Sequence, residues 1–337
     1  MSKTIGEIAE LAGVSKTTVS RVINNKPDVN PETRENILEL IAKYNFQPNV
    51  FAKAISSQKS NNIGLIIPYT VDYIFSNQFY VDVLRGISTE IENSNYYLLI
   101  CYVHEANYVD IFRQKRVDGF VLMSPASLHR DIIRELQCAE APFVSTAKLL
   151  DEEAMVYVDV DNVRGASLAV EHLISLGHEK IAFVGKPALT SSQDRLTGYR
   201  QVLEKHGIAY QEDFVRVTAS SSVKAGYEVM ADLLQMDNPP TAVFLANDVM
   251  AMGAIKASQD LNLRVPEDIS IVGFDDVPLA QYTTPALTTV RQPAFEKGVE
   301  ATRLLLQFLE NGIVPVSRTL DVELIVRNST AACVQCN

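Results

Sequence analysis

The chain has 337 residues, of which 47% are hydrophobic and 21% charged, with only 15 Gly and 14 Pro, a make-up that excludes collagenous, disordered and disulfide-dense proteins. Its length, roughly twice that of one domain, predicts two or more compact units. The net charge of −11 divides unevenly: residues 1–60 hold eight Lys/Arg against six acids (+2), and the remainder holds 22 against 35 (−13). A slightly basic head on an acidic body still suits a polyanionic partner, because phosphate contacts are made by a local patch. Glu7 and Glu10 fall where a secretory signal needs an apolar run. The longest apolar run, 96–103, is too short to span a membrane and reads as a buried strand. Four Cys, two of them in the tail, suit a reducing cytoplasm better than a disulfide framework.

In chain order, Ile5, Ile8, Ala9 and Ala12 predict a first helix with Thr4 as its N-cap and Gly13 as its stop. Ser15 is placed to cap a second helix with Val19, Val22 and Ile23 on its inner side, broken by Asn24-Asn25-Lys26-Pro27. Pro31-Glu32 opens a third, carrying Ile37, Leu40, Ile41 and Tyr44 inward and ending near Asn45-Phe46-Gln47-Pro48. The link Ala12-Gly13-Val14-Ser15 has helix-turn-helix spacing. Such a unit presents the start and outer face of helix two to the major groove: here Lys16, Thr17, Ser20 and Arg21, with Asn24 nearby. The same spacing is equally compatible with a solvated polar face on a small helical bundle.

The run from Thr4 to Asn24 closely resembles the DNA-binding head of the LacI/GalR family of bacterial transcription regulators. The resemblance continues through Val29-Asn30-Pro31-Glu32-Thr33-Arg34 and into Phe46-Gln47-Pro48-Asn49-Val50-Phe51-Ala52-Lys53-Ala54-Ile55, which is similar to the family's hinge segment. It implies a head over residues 1–46, a hinge helix and linker over 47–60, and DNA contacts from Thr4, Ser15, Lys16, Thr17, Ser20, Arg21, Asn24, Asn49, Lys53 and Ile55. In the family, a hinge leucine from each of two subunits is wedged into a central minor-groove step. Ile55 takes that position, a β-branched wedge of different shape and poorer helix propensity. Lys53 stands where arginine is more usual, keeping the charge and losing the planar fork.

Beyond the linker, β-rich runs at 63–67, 97–102, 119–123, 142–145, 180–184, 241–245 and 269–273 alternate with helical stretches, which predicts parallel sheet. Roughly 275 residues exceed one comfortable open sheet, so two Rossmann-like halves with a cleft are expected. Val158-Asp159-Val160-Asp161-Asn162, His172 to His178, Arg195-Leu196-Thr197-Gly198-Tyr199, Ala246 to Ala251, Val265 to Asp276 and Leu287 to Pro293 are similar to further family motifs. The resemblance thus covers nearly the whole chain. It implies a periplasmic-binding-protein-like core over 61–337, with a first half at 61–160 plus 292–321 and a second at 161–290 plus 322–330. It also implies a small effector, a sugar or sugar derivative, held in the cleft by Phe79, Tyr80, Arg195, Asn247, Asp275 and Gln292. Those types suit a polyol: a carboxylate accepts from vicinal hydroxyls, a guanidinium donates a fork, an amide does both, and an aromatic covers an apolar sugar face. By the residues alone, Asp275-Asp276 would equally cap a helix after Pro278, Asn247 would equally be an N-cap, and Arg195 an exposed helix residue.

Three departures from the family pattern bear on the pocket. The chain between Gly64 and Tyr80 is longer, with Val71-Asp72-Tyr73-Ile74-Phe75 as the extra; the stretch 103–116 is shorter by about two helical turns. Ser221 stands where several relatives carry a large aromatic, and there is no Trp.

Phosphate-loop, nucleophile-elbow, dinucleotide-turn and His-Glu-x-x-His patterns are absent, the five His are scattered, and Cys333-Val334-Gln335-Cys336 is a lone pair in what reads as a frayed tail. No enzyme activity, cofactor or metal is expected. The expected protein is a homodimeric repressor of a near-palindromic operator in double-stranded DNA, without a tetramerising tail and controlled by a small molecule. The alternative is a catabolite-control-type regulator, whose first half would answer to a phosphorylated protein coregulator, with the aromatic-rich stretch 96–108 as the candidate surface.

Overall fold

In the structure, a computed structural model, residues 3–23, 25–46, 59–68, 70–102, 107–123, 130–149, 155–186 and 189–333 are described, with backbone only at 72, 102 and 130. They divide into two compact units, Met1–Ser60 and Asn61–Asn337.

The described residues of the first unit form three helices, α1 (Ile5–Ala12), α2 (Lys16–Ile23) and α3 (Pro31–Lys43). Thr4 caps α1 in a capping box: its Oγ1 accepts from the Glu7 N–H at 3.3 Å, and the Glu7 carboxylate accepts from the Thr4 N–H at 2.7 Å. Gly13 ends the helix at φ 64°, a left-handed turn that glycine adopts without Cβ cost. Ser15 Oγ accepts from the Thr18 N–H at 3.1 Å, and the Asn30 side chain with Pro31 starts α3. Ile8, Ala9, Val19, Val22 and Ile37 are buried together, and Phe46 closes the cluster from beyond α3.

The second unit is built on two sheets. Its first half holds β1 (Asn62–Ile67), β2 (Tyr97–Tyr102), β3 (Gly119–Leu122) and β4 (Phe143–Ser145), parallel in the order β2-β1-β3-β4. Helices α4 (Val71–Ser76), α5 (Gln78–Glu92), α6 (Tyr108–Arg113) and α7 (Arg130–Cys138) connect them. Its second half runs β12-β10-β9-β8-β6-β7, comprising β6 (Ile181–Gly185), β7 (Val215–Val217), β8 (Ala242–Leu245), β9 (Ser270–Asp275), β10 (Thr288–Arg291) and β12 (Glu323–Ile325). All neighbours there are parallel except β12 on β10. Helices α8 (Asn162–Ser175), α9 (Thr190–Lys205), α10 (Val223–Leu234) and α11 (Asp248–Asp260) flank it.

The chain passes between the halves three times. Strand β5 (Val158–Val160) precedes α8; α12 (Ala294–Asn311) follows β10 and returns to pack on α5; and β11 (Arg318–Leu320) pairs with β5 before β12 rejoins the second sheet. The return of α12 depends on two glycines. A Cβ on Gly86 would lie 2.0 Å from the Phe295 carbonyl, and one on Gly298 would lie 2.1 Å from the Val83 carbonyl, so the two helix backbones touch there.

The seven expected strands are present within one or two residues at each end, but five short ones, β5, β7, β10, β11 and β12, escape the apolar pattern. Three or four residues with one polar-facing side give no run to detect. The apolar stretch at 96–103 is corrected: β2 is an edge strand, with Tyr97, Leu99 and Ile100 exposed rather than buried. The tail is corrected too, since as far as Cys333 it is docked. The Ala331 N–H donates to Ser270 Oγ at 3.1 Å and the Cys333 N–H to the Leu176 carbonyl at 2.8 Å; Cys336 lies outside the described residues.

Candidate functional site

On the head, α2 presents Lys16, Thr17 and Arg21 to solvent, with Ser20 half-buried beside them. Thr4 and Ser15 are occupied as helix caps. Arg21 is held within the head by Asp28, with its Nε 3.2 Å from Asp28 Oδ1. Arg34 donates to Asn25 Oδ1 at 3.0 Å and to the Lys26 carbonyl, fixing the turn after α2. Asn24, Asn49, Lys53 and Ile55 lie outside the described residues.

In the body, both sheets have a switch point, between β1 and β3 and between β6 and β8, where helices leave in opposite directions and a crevice forms at the strands' carboxyl ends. The second-sheet strands deliver Lys186 after β6, Ala246-Asn247 after β8 and Asp275 at the end of β9. From the other side come Tyr73 within α4 and Asn77 at its end, Phe79 and Tyr80 at the start of α5, Thr146 after β4, and Asp159 on β5. All of these, with Arg195, Gln292 and Lys297, line one cavity of about 70 Å³. That is well below the roughly 300 Å³ at which ligand pockets begin, so the cleft is narrow. A sugar-sized molecule enters only if the halves part.

The six sequence-predicted effector residues therefore share one wall, and each of the alternatives weighed above resolves. Arg195 is 6% exposed, not a surface residue. Its Nε donates to Asn162 Oδ1 at 2.9 Å, its Nη1 to the Ala246 carbonyl, and its guanidinium stacks 3.5 Å from the Phe274 ring centroid. Asn247 caps α11, accepting from the Met250 N–H at 2.8 Å, while still lining the cavity. Asp275 and Asp276 do not cap the short helix at Pro278–Tyr282, whose N-cap is Val277. Asp275 instead sits at φ 125°, a conformation L-residues rarely adopt, which turns its carboxylate toward Arg195 Nη1 at 4.0 Å and Gln292 Nε2 at 2.5 Å. Phe79 and Tyr80 both line the cavity, their rings edge-to-face at 5.2 Å.

Burial lowers the Arg195 pKa against the pull of Asp275, Asp159 and Asp248. Burial pushes Asp275 up to about 6, opposed by Arg195, Gln292 and Lys297. Behind the site, Asp248 is fully buried and its pKa is raised well above the usual carboxylate range by burial and by Asp275, although the Thr289 hydroxyl and the Val277 N–H both donate to it. Gly273 makes room for it: a Cβ there would lie 2.2 Å from Asp248 Oδ1.

Sequence reasoning missed Asp159, Asn162, Lys186, Ser192 and Lys297. Lys297 Nζ donates to Asp159 Oδ1 at 2.9 Å and to Gln292 Oε1 at 3.3 Å, inside the protein. The signal was present, because Lys297 falls on the apolar stripe of α12 with Ala301 and Leu304. Tyr73 shows that the extra segment does reach the cleft, and Ser221 lines it where an aromatic was noted as missing. The motif histidines are structural: His178 contacts Thr241, Ser270 and the Ala331 carbonyl, and His172 contacts Thr330. Among the described residues no group of three His, Cys, Asp or Glu side chains is arranged to hold a metal, and no helix is long and apolar enough to cross a membrane.

A helix-turn-helix head followed by a two-sheet body with a polar cleft defines a DNA-binding regulator with a periplasmic-binding-protein-like domain. A family profile described as bacterial regulatory proteins, lacI family, matches residues 4–49, and one described as a periplasmic binding protein-like domain matches 170–330. The chain is 35% identical over 328 residues to the probable HTH-type transcriptional repressor ExuR of Bacillus subtilis, covering 97% of this chain and 98% of that one. Among solved structures it resembles a lac repressor dimer bound to operator and the anti-inducer ONPF, with TM-score 0.84, 28% identity and coverage of 98% and 100%. It likewise resembles the transcriptional regulator CelR in complex with cellobiose, with TM-score 0.75, 31% identity and coverage of 97% and 99%. The chain belongs to the LacI/GalR family of bacterial transcription regulators.

Proposed function

We propose that this protein is a cytoplasmic, homodimeric, non-enzymatic repressor that binds a near-palindromic operator through its two heads and is controlled by a small polyhydroxylated effector in the cleft. One observation carries the reading: Arg195, Asn247 and Asp275 from the second half meet Phe79, Tyr80 and Lys297 from the first around one narrow cavity. Within it the Asp275 carboxylate and the Gln292 amide, bonded to each other, are of types that exchange hydrogen bonds with hydroxyls, and the aromatic pair offers an apolar face. Because the wall belongs to both halves, a ligand there is bound most tightly when they hold one relative pose, and that pose governs the spacing of the heads in a dimer. Lys16, Thr17, Ser20 and Arg21 read bases and phosphates from α2, while Asn49, Lys53 and Ile55 serve the hinge. The exposed edge strand β2, with Tyr97, Leu99 and Ile100, supports burial against a second copy.

The coregulator alternative needs cations on the first half that are open to a phosphorylated protein. Arg303 is engaged by Glu90 and Glu300 and Arg318 by Glu300, while Arg113, Lys115 and Arg116 are exposed, so the small-molecule reading rests on the cleft and not on a shortage of surface cations. The test is Asp275→Ala in the full chain. Operator binding is retained and its response to ligand is lost; an unchanged response removes Asp275 from the site.

A further inference from the structure

The charges around the cleft do not cancel. Its wall carries three cations, Lys186, Arg195 and Lys297, against two carboxylates, Asp159 and Asp275. Lys297 is matched by Asp159, which also accepts from the backbone N–H groups of Lys148 and Val160. Arg195 lies 4.0 Å from Asp275. Lys186 has no acidic partner among the described residues, and Lys148 and Asp194, neither of which lines the cavity, act on each other. Lys186 is half-buried, and in a narrow cleft with low-dielectric walls an unmatched cation produces a stronger field than the same charge on an open surface.

The excess lies where the backbone is also positive. Helix α9 begins at this wall, with Leu189, Ser191 and Ser192 lining the cavity. Its N-cap is Leu189, which has no oxygen to offer, and the N–H groups of Thr190 and Ser191 have no acceptor among the described residues. Sixteen residues of helix thus point an uncapped positive end at the cleft. Two serines flank it: Ser192 is 5% exposed and Ser221 is 6% exposed, both line the cavity, and neither side chain has a hydrogen-bond partner among the described residues. Their hydroxyls are open to the cavity and not sealed off, as only the Tyr108 hydroxyl is among the described residues, so beside a lysine at a helix N-terminus they are free to donate to an acceptor from outside the chain.

We propose that the effector is an acid: a polyhydroxylated molecule carrying one carboxylate or phosphate, whose anionic oxygens sit at the start of α9 against Lys186, Ser192 and Ser221, while Asp275, Arg195 and Asn247 take its hydroxyls. This rests on reading the cleft as the effector site. An anion there supplies strong acceptors to the helix start and also neutralises the excess charge, whereas a neutral sugar supplies weaker acceptors and leaves the charge unmatched.

The test is calorimetric titration of the full-length protein at fixed ionic strength with matched hexoses, hexonates, hexuronates and hexose phosphates of the gluco, galacto and manno series. The expected result is binding of one acidic class at least about tenfold tighter than its neutral hexose, weakening as salt rises, and a loss of about tenfold or more for that acid in Lys186→Gln. A hexonate or hexuronate as the tight ligand identifies the anion as a carboxylate, and a hexose phosphate identifies it as a phosphate. A neutral hexose that binds as tightly as its acids, with Lys186→Gln unaffected, overturns the anion and leaves the cleft reading standing. Binding of none of the four classes overturns both.

Discussion

Lys297 and Asp159 form an ion pair of 2.9 Å in which both side chains are almost fully removed from solvent, joining the first turn of α12 to β5 at the floor of the cleft. Removing one member of such a pair leaves its partner charged and desolvated. Lys297→Met is therefore expected to destabilise the fold by about 3–5 kcal/mol. Lys297→Met with Asp159→Asn is expected to recover much of that loss. Urea midpoints of the two single variants and the double variant check this; additive losses would show that the pair is not coupled.

Arg195 uses the shape of its side chain as well as its charge. Its fork reaches Asn162 and the Ala246 carbonyl while its plane lies on Phe274. A lysine keeps the charge and cannot do both. Arg195→Lys is expected to lower the thermal midpoint and to abolish the ligand-induced rise in it, read by thermal unfolding with and without the effector.

On the head, Arg21 is paired with Asp28, and the proposed docking of α2 requires that pair to be exchanged for contacts with DNA. Arg21→Ala is expected to abolish operator binding with the oligomeric state unchanged by light scattering. Asp28→Asn is expected to tighten binding severalfold, because it removes a competing anion beside the phosphates. Wild-type affinity in both variants would remove this face of α2 from the interface.

Burial lowers the pKa of both His172 and His178. A folded value below the unfolded one favours the neutral ring. The resulting stability is present above the ordinary imidazole value of about 6.5 and is lost as pH falls through the folded value. Asp275, raised to about 6, contributes the opposite slope below that value, so the comparison is made with a variant. His178→Gln is expected to lower the midpoint at pH 7.5 and to flatten its decline toward pH 5.5. An equal decline in both proteins would assign the acid sensitivity elsewhere.

Much of this site was legible in the sequence because its members sit at punctuation points. Asp275 ends a strong apolar strand, Asn247 starts a helix, and Arg195 lies one turn into another, so local pattern fixes their places. Lys297 and Asp159 were not found, because each looks like an ordinary polar residue in its own element and becomes a buried pair only through the return of α12 to the first half. The short strands β5, β10, β11 and β12 flank the crossings between the halves, and three or four residues carry too little periodicity to announce them. The edge position of β2 was hidden for a related reason: exposure depends on which strands flank it, and composition does not record that.

The most direct test of the central claim is linkage between the two proposed functions. Operator affinity of the full-length protein is measured by fluorescence anisotropy at fixed salt, on DNA from upstream of its own gene and its neighbours, with and without the ligand that binds the cleft. The account predicts specific binding by two chains per site, a shift in operator affinity on adding the ligand, and an equal factor in ligand affinity on adding operator. A ligand that fills the cleft and leaves operator affinity unmoved would contradict it.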